Sequence, residues 1–353
     1  MKQMKRYVRI VAAVFLVVLV GFPCFGGGTQ DGEKPNELNL LLFEGYGEPG
    51  WVDPFEAETG ARINITNATS VDEIFSKMVA DKGRGFDLVT LDTSQFPRYH
   101  QQGLLLPVNL DNVPNYRKEV LPEFRDLKET TFDGEQYGVP YAWGTIPMWY
   151  DMDAIPTAPD SWRVMWDPKY KGKVIILDEP QNSMVLMAMI IGNIEDFYNF
   201  TEKDIARITE GFVDLAPQLR TLTAGATDMI NLIAGDEAVV GMAFGEQTAY
   251  VANQKGLNIG LTIPKEGATG WLDCWAISAG TKNKELAEKW ANHAIIKNYN
   301  RMMSDTIGYP GCSNPPEGTP ATYNMSRIQW MQPRGDYQRL GEAWEGIKLK
   351  MGG

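Results

Sequence analysis

Gly270-Trp271-Leu272-Asp273-Cys274-Trp275-Ala276-Ile277 is the stretch from which the rest of the chain is read. As a strand its side chains alternate, so Trp271, Asp273 and Trp275 share one face and Leu272, Cys274 and Ala276 the other. A carboxylate between two indoles suits a cation better than it suits a core. Indole faces attract ammonium groups, and the acid adds a charge-assisted hydrogen bond. The competing reading is plain packing, since a chain with ten Trp must bury many of them.

N-terminal to this stretch, strands and helices alternate. The pattern predicts a strand over Leu38–Phe43, a turn through Glu44-Gly45-Tyr46, and a helix over Trp51–Thr59 that Gly60 stops. A strand over Ala61–Thr66, a helix from Ser70 to Lys82 and a strand from Phe86 into Asp92-Thr93-Ser94 follow. Such spacing argues for an α/β fold with a mostly parallel sheet and crossover helices. Ligands of such sheets collect beyond the carboxyl ends of the strands, which puts Phe43, Glu44, Tyr46, Asp92 and Ser94 on one rim.

Asp133-Gly134 between apolar runs signals a hairpin. The run Tyr137–Tyr150 reads as one long strand passing from one domain to the next. Then come a buried strand, Val174–Leu177, a helix over Met184–Ile191 with Ser183 as its N-cap, helices over Glu202–Leu219 and Thr227–Ala234, and a strand, Ala238–Phe244, ending at Gly245-Glu246-Gln247. A second strand–helix set thus occupies about 144–265, and the opening stretch returns the chain to the first. Lys284–Lys297 reads as an amphipathic helix. One domain inserted in another, with two or three crossings, makes a hinge and a cleft.

The N-terminus is an export signal: Lys2, Lys5, Arg6 and Arg9 precede the apolar run Ile10–Val20. It ends at Pro23-Cys24, followed by a Gly-rich tether to about 36. This resembles a bacterial lipoprotein signal over 1–23, with Cys24 as the lipidated first residue and a membrane held through the lipid; cleavage after Gly26 would instead give a soluble secreted protein. Removing 1–23 takes four positive charges and no negative ones, so the net charge goes from −12 to −16. That balance speaks against nucleic acid and would draw in small cations. Cys274 and Cys312 remain, and spacing does not decide whether they pair.

An enzyme would need a catalytic set. The two histidines, His100 and His293, have no i+4 partners for a metal, and neither a nucleophile elbow nor a phosphate-cradling glycine loop is present. No metal, cofactor or catalytic residue is therefore expected.

Seven segments taken together resemble the periplasmic spermidine/putrescine-binding proteins of ABC importers, in the extracellular solute-binding superfamily. They are Phe55-Glu56-Ala57-Glu58-Thr59-Gly60, Phe86-Asp87-Leu88-Val89, Val139-Pro140-Tyr141-Ala142-Trp143-Gly144, Trp166-Asp167-Pro168-Lys169-Tyr170-Lys171-Gly172, Ile263-Pro264-Lys265-Glu266-Gly267, Trp271-Leu272-Asp273 and Thr306-Ile307-Gly308-Tyr309-Pro310. The resemblance implies a two-lobed periplasmic-binding-protein fold closing over its ligand, with lobe 1 formed by 37–142 plus 273–317 and lobe 2 by 143–272 plus 318–353. It implies a monomer in the bacterial periplasm that captures a small cationic ligand, a polyamine, and delivers it to ABC permease membrane subunits.

By position, Trp271 and Asp273 match an aromatic and an acid of the family site, and Tyr46 and Tyr309 match two tyrosines. Phe43 and Phe244 keep a ring where Trp is usual. Glu44 and Asp92 replace small hydroxyl residues, and Ser94 stands where an aromatic is common. Family acids that hold one ligand end follow the strand matched by Val174–Leu177; Glu179 could serve there, but Ser183 stands in place of the second. The acids are redistributed over Glu44, Asp92, Glu179, Glu246 and Asp273, which leaves as the alternative a same-fold receptor for a different small molecule: another amine, an amino acid or an organic cation.

Overall fold

The computed structural model describes residues 36–43, 45–68, 70–313, 323–333 and 336–352. The expected signal 1–23, Cys24 with its tether up to 35, and Glu44 lie outside the described residues.

The first sheet opens with β1 (Glu37–Phe43), α1 (Pro49–Thr59), β2 (Arg62–Ala68), α2 (Val71–Asp81) and β3 (Leu88–Asp92). β1 runs parallel between β2 and β3, as parallel strands joined by crossover helices must. Local chemistry sets the boundaries. Gly60 closes α1 in the left-handed region, at φ 66°. Ser70 starts α2 by accepting the Glu73 N–H at 3.2 Å.

Next come α3 (Phe96–Gln101), β4 (Leu105–Leu106), α4 (Asn115–Lys118), and the hairpin of β5 (Thr131–Phe132) and β6 (Glu135–Gln136). Asp133 and Gly134 turn that hairpin with φ of 52° and 82°, the two positive values its tight turn requires. The run expected as a single strand is two. β7 (Gly138–Thr145) belongs to the first sheet and β8 (Met148–Asp151) to the second, and Ile146-Pro147 carries the chain across. Pro147 has no N–H for a ladder, so the strand breaks there.

The second sheet is built from β8 with β9 (Val174–Leu177), α5 (Pro180–Ile191), α6 (Glu202–Leu215), β10 (Leu219–Thr223), α7 (Ala226–Ala234), β11 (Val240–Met242), α8 (Glu246–Gln254) and β12 (Ile259–Thr262). Its order is β10-β9-β11-β8-β12, with the first three parallel and β8 antiparallel to both neighbours.

The opening stretch is β13 (Ala268–Ser278), buried at every position except the half-buried Trp271. It runs antiparallel to β3, β4 and β7 and parallel to β14 (Ile328–Trp330), giving the order β14-β13-β3-β1-β2. The sheet is therefore mixed rather than mostly parallel, because the returning strand enters against the direction of β3. The amphipathic run after it is two helices, α9 (Lys284–His293) and α10 (Lys297–Ile307), and α11 (Tyr337–Met351) packs on α5 and α6. The chain passes between the sheets three times: at 146–147, at 263–267, and between β14 and α11. The result is a two-lobed α/β molecule with three connections at its waist.

Candidate functional site

A cavity of 460 Å³ lies where the carboxyl ends of β1, β2 and β3 meet the helix starts of the second sheet. Phe43, Tyr46, Ala68 and Asp92 reach it from the first rim, Trp271 and Asp273 from β13, and Asn182 and Gln247 from α5 and α8. Val71, Ile146, Tyr309 and Met331 complete its wall. A larger surface groove of 640 Å³ around Asn109, Arg117 and Lys284 lies away from both rims.

Asp273 is the centre of the site. It is 5% exposed and pairs in register with Asp92, itself 7% exposed, across the antiparallel β13–β3 ladder. The Tyr46 hydroxyl donates to Asp273 Oδ2 at 2.9 Å. Burial, then the neighbouring Asp92 carboxylate, push the Asp273 carboxyl up to about 8, against the pull of that hydrogen bond. Asp92 also acts as a cap: its Oδ1 accepts the Ser94 N–H at 2.9 Å and the Ser94 hydroxyl, and its Oδ2 accepts the Leu272 N–H at 3.4 Å. Ser94 is thus spent on orienting Asp92 and also receives Gln95 Nε2 at 2.8 Å.

The aromatic wall follows the alternation of β13. The Trp271 ring meets Tyr309 edge to face, with centroids 4.9 Å apart. Phe43 packs on Tyr46 at 6.4 Å and Tyr46 on Tyr141 at 5.1 Å. Trp275 shares the face but not the cavity: it is 1% exposed and stacks on Tyr141 at 4.0 Å. A bulge between Asp273 and Cys274 adds Tyr141 to the partner strand, and that ring fills the space beside the second indole. One indole of the two lines the cavity and the other is core.

Three acids or acid positions expected near the ligand do different work. Glu179 is the N-cap of α5, accepting the N–H of Gln181 at 3.2 Å and of Asn182 at 2.6 Å. With Pro180 set for the first helical position, the helix starts four residues earlier than Ser183 as its cap would have it. Ser183 is fully buried and donates to the Leu177 carbonyl at 2.7 Å. Glu246, the first residue of α8, is 3% exposed; it accepts the Thr145 N–H at 3.0 Å, the Thr145 hydroxyl at 2.7 Å and the Tyr323 hydroxyl at 2.8 Å. Its carboxyl is raised by burial and lowered by those donors. Phe244 packs under both hydrophobic clusters and outside the cavity wall.

Asn182 and Gln247 are cavity residues that the sequence reading passed over. Both lie in the first turn of a helix that follows a strand of the second sheet, so the same carboxyl-end rule that picked Asp92 would have found them. Cys274 and Cys312 are free, buried thiols. Cys274 pairs with Pro140 on one edge of β7, and the Cys312 N–H donates to the Tyr141 carbonyl on the other. Two strand spacings separate them by roughly 9–10 Å, beyond the reach of about 7 Å that a disulfide allows between Cα atoms. His293 sits among Phe55, Trp290 and Tyr299, and His100 stacks on Phe132 at 4.2 Å, so both are packing groups. Among the described residues no group of His, Cys, Asp and Glu is arranged to hold a metal ion.

Two lobes joined by three passages, with a buried acid and edge-to-face aromatic rings in the cleft between them, define a receptor that holds a small solute. The chain belongs to the bacterial extracellular solute-binding protein family, whose match runs over residues 50–323. It is 26% identical over 297 residues to the spermidine/putrescine-binding periplasmic protein of Escherichia coli K12, covering 83% of this chain and 82% of that protein. The putrescine-binding periplasmic protein PotF of the same organism is 26% identical over 318 residues, with 85% and 82% covered. Among solved structures, the spermidine/putrescine substrate-binding protein PotD of Streptococcus pneumoniae superposes with a TM-score of 0.78 at 18% identity, over 89% of this chain and 99% of that one.

Proposed function

We propose that this protein is the substrate-binding subunit of an ABC importer, capturing a small cationic solute of the polyamine class, such as putrescine or spermidine, and delivering it to a membrane permease. The observation that carries the reading is the buried Asp273–Asp92 pair with Tyr46 on one side and the Trp271–Tyr309 edge on the other. Two carboxyl groups at one place repel, and an arriving ammonium relieves that repulsion. The rings cover methylenes, each worth about 0.8 kcal/mol when buried.

The lobe division drawn from the sequence is part of the proposal, with its boundaries adjusted: Trp143–Thr145, Ala268–Leu272 and Ile328–Trp330 pair in the first sheet although 143–272 and 318–353 were expected in the second lobe. Cys24 carries the lipid that tethers the receptor in the periplasm, the protein works as a monomer, and it has no catalytic step. A second reading, a same-fold receptor for another amine, an amino acid or an organic cation, is favoured by Glu179 and Ser183, which act as a cap and a core hydroxyl.

Thermal melts against putrescine, cadaverine, spermidine and spermine test the polyamine reading. A rise in melting temperature with at least one of them supports it; flat curves across the panel would remove polyamines. Radiolabelled palmitate incorporated by the wild type and lost in Cys24→Ala tests the anchor.

A further inference from the structure

The two ends of the cavity differ in chemistry. At one end are the carboxyl groups of Asp273 and Asp92. Moving along the same face of β13, Trp271 comes next and then Thr269, whose hydroxyl donates to Asn182 Oδ1 at 2.9 Å. Four residues of strand place that contact roughly 13 Å from Asp273 along β13. Gln247 lies on the same second-sheet side, and its Oε1 accepts the Tyr309 hydroxyl at 3.4 Å. Each amide oxygen already accepts one hydrogen bond from the protein, and the NH2 groups of Asn182 and Gln247 are the donors this end offers a ligand.

An ammonium only donates hydrogen bonds, and so does an amide NH2, so the two cannot satisfy each other. Glu246, one residue before Gln247, does not supply an acid here: it is 3% exposed and outside the cavity wall, and its Oε1 accepts the Thr145 and Tyr323 hydroxyls. Both amides also stand in the first turn of a helix, where backbone N–H groups add positive potential, offset in part by the capping carboxylate of Glu179. A hydrogen-bond acceptor is what this end is made to receive.

We propose that the preferred ligand is asymmetric, with an ammonium group seated at Asp273 and Asp92 and a carbonyl oxygen at its other end held by the NH2 groups of Asn182 and Gln247. It rests on the reading of this cavity as the ligand cleft and narrows it from free polyamines to amines with an acyl-capped or carboxylate far end. An N-acylated diamine and an ω-amino acid share this chemistry.

Calorimetric titration of the full mature protein with N-acetylputrescine, 4-aminobutanoate, putrescine and spermidine distinguishes them. The expected result is binding of N-acetylputrescine or 4-aminobutanoate at least tenfold tighter than putrescine, the winner telling whether the far end is neutral or anionic. Gln247→Glu, at a half-buried position that tolerates the change, reverses the order by turning a donor into an acceptor; Asn182→Asp repeats the test from the other helix. Putrescine or spermidine binding as tightly as either capped compound, with loss in Asp273→Asn, overturns the asymmetry and leaves the receptor standing. Silence from all four compounds overturns the inference together with the reading beneath it.

Discussion

Asp273 couples ligand, proton and stability in one side chain. Its folded-state carboxyl titrates near 8, above the unfolded value of about 3.9. A raised value means the folded state holds the proton more tightly, so this contribution to stability is fully present below about pH 4 and is lost as the pH rises through 8. Ligand-free protein is therefore expected to melt at falling temperature over that window, and Asp273→Asn to flatten the slope, which melts at several pH values would read directly. A bound ammonium reverses the preference and expels the proton. Binding at pH 6 to 7 should release close to one proton, seen as a dependence of the measured enthalpy on the ionisation heat of the buffer; an enthalpy identical in all buffers would contradict it. Tyr46→Phe removes the hydrogen bond that favours the charged acid, and is expected to weaken binding about tenfold or more. Asp273, Trp271 and Tyr46 were legible because alternation along one strand and a rim rule name them, whereas Tyr309 came only from the family resemblance. Glu179, Ser183 and Glu246 were not, since capping and burial consume an acid or hydroxyl through groups brought from elsewhere in the fold.

At the scale of elements, β13 and β7 hold the aromatic wall in place by close approach. A Cβ on Gly144 would come within 2.3 Å of the Trp271 ring and 2.6 Å of Glu246 Oε2, so only glycine lets β7 lie beneath that indole. Gly144→Ala should displace Trp271 and cost about tenfold in affinity, although residue 144 is absent from the cavity wall; titration of a variant with an unchanged circular dichroism spectrum checks this. Glu179→Ala should act on α5 alone, lowering stability by about 1 kcal/mol through the lost cap and leaving the ligand's contacts in place. Denaturant melts alongside titration separate the two effects. Most element positions followed from caps and turns written in the sequence, Gly60, Ser70 and Asp133-Gly134 among them. The misread ones share a cause: Pro147 divides a continuous apolar run between two sheets, and Pro180 starts α5 ahead of the hydroxyl that resembled its cap. Period-2 and period-3.6 patterns report burial, and they do not report which sheet does the burying.

For the whole molecule, the three passages between sheets make a waist about which two lobes can close, and the cavity draws on both. Fold class was readable from strand–helix alternation plus one returning strand. The direction of that strand was not, because an inserted domain delivers the chain back at either end of the sheet. Closure should appear as a smaller radius of gyration in solution scattering when ligand is added, with no change in Asp273→Asn. The receptor account rests most heavily on the buried acid pair meeting a cation. Calorimetric titration of ligand-free wild type and Asp273→Asn with free and N-acetylated polyamines measures that contact directly. The account predicts micromolar or tighter binding of at least one of these amines and a loss of about 100-fold or more in the variant. Equal binding by the two proteins would place the cation elsewhere and contradict it.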